Sequence, residues 1–516
     1  MSTPNPDFNR SRFLTFADIA GGLRRIMDAG RMPLALILAA LCGLLLYQGS
    51  ENILGYILIA VGTWASLALW GRMGIGLPVL PMFVLQHFFT FALPILTDNE
   101  TLERYPAGLI NLASFEVFIL MGVMSLTWYF ALQQMRSSPP VCYALQGFEK
   151  DGLKRLRFIG SAMIIGITAF NVARMTGFMN TIYAVLPSGM NAIVNALTSA
   201  VGVCGFFLVA MLQGSGEEPP WQRTVLWTLF AINLLVLSSG FILSSASLLV
   251  GAVFIGLLWG SGRVPWRFII ILVSILAFLN FGKFVMRERY WVDEDEMRNL
   301  TISLVQLPEV YAEWAEASYD LLVNDAPPEP AVFSRAPSRE GQSLLNRVNN
   351  MQNLLYVMDS IENYRTPVLH GATYTLIPPL LVPRYFWPDK PRAHEGQIML
   401  NIHFGRQSLE ATAVTFVAWG LLAEACGNFG LFYGSIFLGI VLGLFCAWTE
   451  RFTTAKLLFS LEGLLALVIF MGLLNSYEMV ASVLITSIFQ SLFPVLMGCS
   501  PFVERQSSLR PDVYGA

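Results

Sequence analysis

The chain has 516 residues, of which 55% are hydrophobic and only 13% charged, with a formal net charge of −3. Soluble domains carry about 25% charged residues, so this deficit excludes an ordinary water-soluble protein and points to lipid, where a charge at the bilayer centre is costly. The near-neutral balance offers no basic patch to nucleic acid, and six cysteines without a CxxC pair give neither a zinc-type site nor a disulfide framework.

Residues 1–32 form a leader in which Phe13, Phe16, Ile19, Leu23 and Ile26 recur at helical spacing beside Arg24 and Arg25, the pattern of an amphipathic helix on a membrane surface. The basic segment ahead of the first apolar run, near Pro33, is too long for the n-region of a cleavable signal peptide. A spanning helix needs about 20 mainly apolar residues. On that measure the region 33–283 predicts spans near 33–48, 53–70, 77–96, 108–132, 157–173, 190–212, 224–240, 243–260 and 265–283. Further spans follow within 428–497, near 428–448, 457–474 and 478–497, before a tail over 498–516. The expectation is an all-α polytopic membrane protein with about twelve transmembrane helices and one large, partly helical extracytoplasmic loop, with its re-entrant or interfacial end, over 284–427.

Orientation follows the Lys/Arg bias of short loops. Arg10, Arg12, Arg24, Arg25 and Arg31 place the N-terminus in the cytoplasm, and counting forward puts Arg72, the group Arg136 to Arg157, Arg223, and Arg263 with Arg267 on the same side. The opposite loops, near Glu51 and over 97–107, carry few positive charges, so 284–411 is expected outside the cytoplasm. The run Ala413–Leu422 is short for a span and leads into Glu424 and Gly427-Asn-Phe-Gly430. Read as re-entrant or interfacial, it leaves Arg451, Lys456, Arg505 and Arg510 inside and both termini cytoplasmic.

Within the loop, 301–324 predicts a helix with Val310, Trp314, Ala317 and Leu321 on one stripe and Glu309, Glu313, Glu316 and Asp320 on a solvated one. Residues 341–362 predict a second helix. From Ile377 to Arg392 the prolines are dense enough to forbid a regular helix. The loop gathers Arg335, Arg339, Arg347, Arg365, Arg384, Lys390, Arg392 and Arg406 among the aromatics Tyr364, Tyr374, Tyr385, Phe386, Trp387 and Phe404. Arginine binds phosphate oxygens in a bidentate way, and aromatic rings suit sugars or a prenyl chain. The alternative is a solvated loop with its aromatics packed beneath it. Candidate proton acceptors are His370, His394, His403 and Glu424. Each histidine is open to a packed or solvated reading, whereas a carboxylate bordering an apolar segment usually faces protein or a water-filled cavity. The loop has no Asp-x-Asp and no carboxylates at metal-ligand spacing, so neither a metal nor another cofactor is expected.

The run Leu369-His-Gly-Ala-Thr-Tyr374, followed by Val382-Pro-Arg-Tyr-Phe-Trp-Pro-Asp-Lys-Pro391, resembles bacterial O-antigen and exopolysaccharide repeat-unit polymerases. Their large periplasmic loop ends in Gly-x-Thr-Tyr and then Pro-Arg-x-x-Trp-Pro-x-Lys-Pro. Gly420-Leu-Leu-Ala-Glu-Ala-Cys-Gly-Asn-Phe-Gly430 is similar to the segment that opens the family's next membrane stretch, and Asn346-Arg-Val-Asn349 to its arginine upstream of Gly-x-Thr-Tyr. These motifs cover residues 346–430; elsewhere the likeness is one of topology. The turn Ser238–Ser247 lacks the arginine that many relatives carry there, and Arg174 is a candidate to supply that charge.

The resemblance implies a multi-pass glycosyltransferase of the bacterial inner membrane. It would move a glycan from undecaprenyl diphosphate to a second lipid-linked repeat unit at the periplasmic face, without a metal. Arg384, His370 and Glu424 are then expected in catalysis, and Arg347, Tyr374, Trp387, Lys390, Arg392, His403 and Arg406 in substrate binding. The partners implied are the undecaprenyl-diphosphate-linked oligosaccharide, membrane lipids and a chain-length regulator. A ligase-like transfer of the finished glycan is an alternative, as is a flippase or transporter, although the latter would place charges mid-membrane.

Overall fold

The computed structural model describes residues 15–136, 142–145, 150–179, 181, 190–216, 219–241, 246–261, 264–290, 302–323, 349–382, 386–387, 389–409, 412, 417–457, 460–476, 478–499 and 503–506. The first nine long helices are α1 (Phe16–Tyr47), α2 (Ile53–Met73), α3 (Val79–Leu96), α4 (Ala107–Gln134), α5 (Lys150–Met175), α6 (Met190–Gly214), α7 (Pro220–Ser238), α8 (Ser247–Ser261) and α9 (Trp266–Tyr290). The loop region contributes α10 (Leu307–Val323), α11 (Asn350–Glu362), the short α12 (Ile377–Leu381) and α13 (Glu395–His403). The chain then forms α14 (Leu421–Phe429), α15 (Tyr433–Thr453), α16 (Leu461–Ser476) and α17 (Ala481–Cys499). Two short strands, β1 (Cys142–Leu145) and β2 (Val503–Gln506), pair antiparallel.

A helix stands at every stretch expected to span, so the protein is an α-helical membrane protein. The expected count of about twelve is not reached, however. Among the described residues seven helices (α1 to α5, α9 and α15) are long and apolar enough to cross. The apolar parts of α6, α8 and α16 are shorter, Val201–Gly214, Leu249–Leu258 and Leu461–Leu474. Part of α7 is taken up by Gln222, Arg223, Thr224 and Asn233. Two of these have work inside the bundle. Gln222 donates to the Arg157 carbonyl at 3.3 Å and to Ser161 Oγ at 2.8 Å, and Asn233 joins Asn171 at 2.7 Å and Thr168 at 2.6 Å. Such polar contacts hold helices together where lipid gives no hydrophobic driving force.

The leader and the first span are one helix. Thr15 and Asp18 form a reciprocal capping box at the start of α1, which then runs unbroken through Pro33. On the other side of α2, the α4–α15 seam is close-packed through Gly439 and Gly443. A Cβ on Gly443 would come 2.6 Å from the Met124 carbonyl oxygen, which is the small-xxx-small device of membrane helices.

Long-range contacts sort the bundle into two ends. At one end Thr15 bridges to Leu457, Phe16 N–H donates to the Lys456 carbonyl at 3.2 Å, and Arg451 Nε donates to the Met135 carbonyl at 2.9 Å. At the other end Glu116 of α4 caps α15, accepting the Phe432 N–H at 2.8 Å and the Ser435 hydroxyl. There too Asn349 donates to Thr101 Oγ1 at 2.8 Å, and Gly420 N–H to the Glu478 carbonyl at 2.7 Å. So α15 runs from this second end back to the end that holds the start of α1. The nine residues of α14 rise about 13 Å, less than half of a hydrocarbon core, and 417–429 therefore does not cross. Residues 413–416, where the run expected to be re-entrant or interfacial begins, lie outside the described residues.

A buried carboxylate locks the end that holds the start of α1. Glu450, fully buried, accepts the indole N–H groups of Trp70 at 3.1 Å and Trp128 at 2.8 Å on one oxygen, and the backbone N–H groups of Ile75 at 2.6 Å and Gly76 at 3.2 Å on the other. Gly76 is required there, since a Cβ would lie 2.2 Å from the Glu450 carbonyl oxygen. Glu450→Ala leaves these donors buried and unpaired, and is expected to destabilise the protein by roughly 3–5 kcal/mol. Thermal unfolding in detergent measures this; an unchanged midpoint would mean the clamp carries no stability.

In the loop region α10 packs on α9: Trp314 Nε1 donates to the Leu279 carbonyl at 2.7 Å and Gly282 N–H to Ser318 Oγ at 3.1 Å. Glu309, Glu316 and Asp320 face solvent, as the acidic stripe predicts. Of the second expected helix only α11 falls among the described residues, with Met351, Leu355 and Met358 buried. The proline-rich stretch departs from expectation. Pro378 and Pro379 occupy the first turn of α12, where the missing N–H groups have no helical partner to lose.

Candidate active site

The two motif segments interlock at the end away from the start of α1. The helix α14 begins after Gly420 and stops at Gly430, both in left-handed conformations, and Leu421 to Asn428 are all buried. From its inner face Glu424 reaches two other elements. One carboxylate oxygen accepts the Thr373 hydroxyl at 2.7 Å, and the other accepts the Ala481 N–H at 2.6 Å, at the positive end of α17. Asn428 donates to Thr373 Oγ1 at 2.9 Å and to the Glu424 carbonyl at 2.8 Å, and the Leu369 N–H to the Gly427 carbonyl at 3.0 Å. A Gly-x-Thr-Tyr turn, α14 and the start of α17 are thus tied around one carboxyl group. Burial pushes Glu424 up to about 7, with the bonds from Ala481 and Thr373 opposing.

This geometry gives Glu424 structural partners. It is completely buried and both oxygens are engaged, so no substrate hydroxyl can reach it. It ties the Gly371–Tyr374 turn to the start of α17. Thr373 and Asn428 complete its ring and were not singled out in advance, although both lie inside the quoted motifs. The only signal for them was the polar side chain at a fixed place beside an apolar run.

Tyr374 packs rather than projects. Its ring stacks on Phe429 at 5.7 Å and meets Phe437 edge-on at 5.5 Å. Its buried hydroxyl has no hydrogen-bond partner among the described residues, and burial raises its pKa well above the ordinary range. His370, four residues before Tyr374 in the chain, is exposed and in the left-handed region at φ 49°. A histidine there is strained, and such strain concentrates at functional sites. Gly371 follows at φ 84°, where a Cβ would sit 3.4 Å from the Phe429 ring.

Other expected binding residues have structural partners. Lys390 Nζ donates to the Leu380 carbonyl at 2.7 Å and the Val382 carbonyl at 2.6 Å, which ties Lys390 to the end of α12. Phe386 and Trp387 are exposed, as is Arg392. His403 Nε2 lies 2.6 Å from the Pro367 carbonyl oxygen, which can only accept, so this histidine pins the 365–369 stretch. Arg406 is half-buried, 5.5 Å from the centre of the Tyr356 ring and 5.3 Å from that of Trp419, and donates to Asn353 at 2.8 Å. His394 pairs with Gln397 at 2.6 Å where α13 begins. Arg347 and Arg384 lie outside the described residues.

The structure therefore brings Tyr374 and Glu424 together, with His370 on the turn that Glu424 holds through Thr373. It sets His403 and Arg406 in an adjoining cluster, joined through Phe404, whose ring would be 3.0 Å from a Cβ on Gly427. Among the described residues no group of three or more His, Cys, Asp or Glu side chains is placed to hold a metal ion. Neither a scan against family models nor comparison with curated proteins and with solved structures returns a match to this chain.

Proposed function

We propose that the chain is a polysaccharide repeat-unit polymerase of the bacterial inner membrane, working at the periplasmic face on undecaprenyl-diphosphate-linked oligosaccharide. The observation that carries this reading is the interlocking of Gly371-Ala-Thr-Tyr374 with Glu424 and Asn428, next to the exposed, strained His370. The polymerase-like motifs then form one site at one bundle end, beside a loop that displays Phe386 and Trp387. The helices α6, α7, α8, α16 and α17 would complete about twelve crossings, with both termini in the cytoplasm.

In this reading a hydroxyl of the incoming repeat unit attacks the anomeric carbon of the glycan chain. The bond from that carbon to the diphosphate oxygen breaks, and undecaprenyl diphosphate leaves. His370 accepts the hydroxyl proton, within the reach required of a general base. Arg384, with Arg347 and Arg392, meets the charge that develops on the diphosphate. The exposed Trp387 supplies aromatic surface for sugar rings, Tyr374 stiffens the turn through its stack with Phe429, and Glu424 holds the turn that carries His370.

The test is a strain lacking the chain, from which lipid-linked glycans are extracted and sized. Single repeat units accumulating on undecaprenyl diphosphate at the outer face are expected. Full-length lipid-linked polymer without final attachment would instead mean a ligase. Units trapped at the cytoplasmic face would mean a transporter.

A further inference from the structure

Arg406 holds a half-buried positive charge that no carboxylate pairs among the described residues. Its guanidinium carbon lies 5.5 Å from the centre of the Tyr356 ring and 5.3 Å from that of Trp419. Nη1 donates to Asn353 at 2.8 Å, and the other guanidinium N–H groups have no partner among the described residues. Burial raises the Tyr356 hydroxyl, the Arg406 charge opposes it, and Asp359 and then Tyr364 add to the rise. Burial also raises Tyr105, on the turn before α4, with Asp359 adding to it and Arg406 opposing, ahead of smaller effects from Tyr356 and Arg104. The charges that meet around these tyrosines are therefore Arg104, Arg406 and Asp359, two positive against one negative. Asp359 already accepts the Asn363 side-chain N–H at 2.6 Å, and His403 Nε2 is taken by the Pro367 carbonyl. Donors are in surplus too. Asn401, fully buried, accepts the Trp419 indole N–H at 2.8 Å, and its own Nδ2 has no partner among the described residues. Aromatic rings compensate a desolvated cation only in part, and a buried charge is normally paired. One surplus positive charge with unused N–H groups fits an oxyanion.

The geometry points to Arg406 as the residue that binds a carboxylate on the glycan, so that the repeat unit contains an acidic sugar. The planar fork of a guanidinium matches a carboxylate in a bidentate way. A single surplus charge balances one carboxylate, whereas a diphosphate brings more negative charge than the cluster holds and is repelled by Asp359. The surroundings suit a sugar ring. Tyr364 is 76% exposed, and Gly405, next to Arg406 in the chain, is exposed as well, which leaves the cluster open to solvent. The His403 bond to Pro367 joins the cluster to the stretch that leads into His370. The inference rests on the polymerase reading and adds to it the class of the repeat unit. Arg406 then sets specificity, apart from Arg384 and Arg392, which meet the diphosphate.

The experiment is isothermal titration calorimetry on the purified full chain in detergent. Its probes are a glucuronate-containing tetrasaccharide, the same tetrasaccharide with its carboxylates reduced to alcohols, and inorganic phosphate. The acidic tetrasaccharide is expected to bind about tenfold more tightly than the reduced one, as one hydrogen-bonded charge allows, and phosphate not to displace it. Arg406→Gln is expected to bring the two saccharides to equal affinity, and Arg406→Lys to keep part of the difference. Equal affinity in the wild-type chain, displacement by equimolar phosphate, or an unchanged preference in a folded Arg406→Gln chain would overturn the inference. The wild-type comparison decides it where Arg406→Gln does not fold. Lipid-linked units from a strain lacking the chain are expected to contain a carboxylated sugar, and a neutral unit would likewise overturn it. Full-length lipid-linked polymer in that strain would instead sink the polymerase reading, while the preference for the acidic tetrasaccharide would still assign Arg406 to a carboxylate.

Discussion

Arg384→Ala is expected to leave the protein inserted in the membrane at its normal level and to abolish chain extension. The warrant is electrostatic. Breaking the bond between glycan and diphosphate builds negative charge on the leaving group, and losing one donor aimed at such charge typically costs about 10²–10³ in rate. Lys390 binds the Leu380 and Val382 carbonyls, so residues on either side of Arg384 in the chain are already tied together before substrate arrives. Arg384→Lys is expected to restore only a fraction of the activity, because an ammonium cannot reproduce a bidentate contact to phosphate. Lys390→Met removes this tie and is expected to shorten the polymer without changing insertion. All three are read by complementing a strain that lacks the chain and sizing its lipid-linked glycans. Long-chain polymer made by Arg384→Ala at normal expression would remove Arg384 from the site.

The second large effect belongs to Glu424. Glu424→Ala strands the Ala481 N–H and the Thr373 hydroxyl in a fully buried place and leaves a void, for a loss on the order of 3–5 kcal/mol. Glu424→Gln keeps the shape and an acceptor and is expected to lose much less. The pH dependence separates the two further. Burial raises the carboxyl group from its ordinary 4.5 to about 7, so the folded chain binds this proton more tightly than the unfolded chain. The stabilisation from that proton is complete below about pH 4.5 and is lost as the pH rises through about 7. The melting midpoint of the wild-type protein in detergent is therefore expected to fall between these values, and Glu424→Gln to flatten the fall. Parallel profiles for the two proteins would show that Glu424 does not titrate there.

The sequence by itself determined the class of the molecule and pointed to a candidate site. Both are local properties. Apolar runs of spanning length, such as 108–132, can only be helices in lipid, because every backbone N–H and C=O must be paired within the segment. The density of motifs in 369–391 and 420–430 marks the site for a similar reason, since turn glycines and prolines act on their own neighbours. The tertiary structure decided the rest. It gave Glu424 its role through Ala481 and Thr373, both more than fifty residues away in the chain. It gave Lys390, expected in substrate binding, the Leu380 and Val382 carbonyls as partners. It showed that 417–429 stays at one end of the bundle, through contacts such as Thr15 with Leu457 and Gly420 with Glu478. It also produced the Glu450 clamp, which no spacing announces, because Trp70, Ile75, Gly76 and Trp128 come from two other helices and a turn. A buried carboxylate takes whatever donors the packing brings to it, and which donors those are depends on helix pairings that no local stretch of sequence encodes.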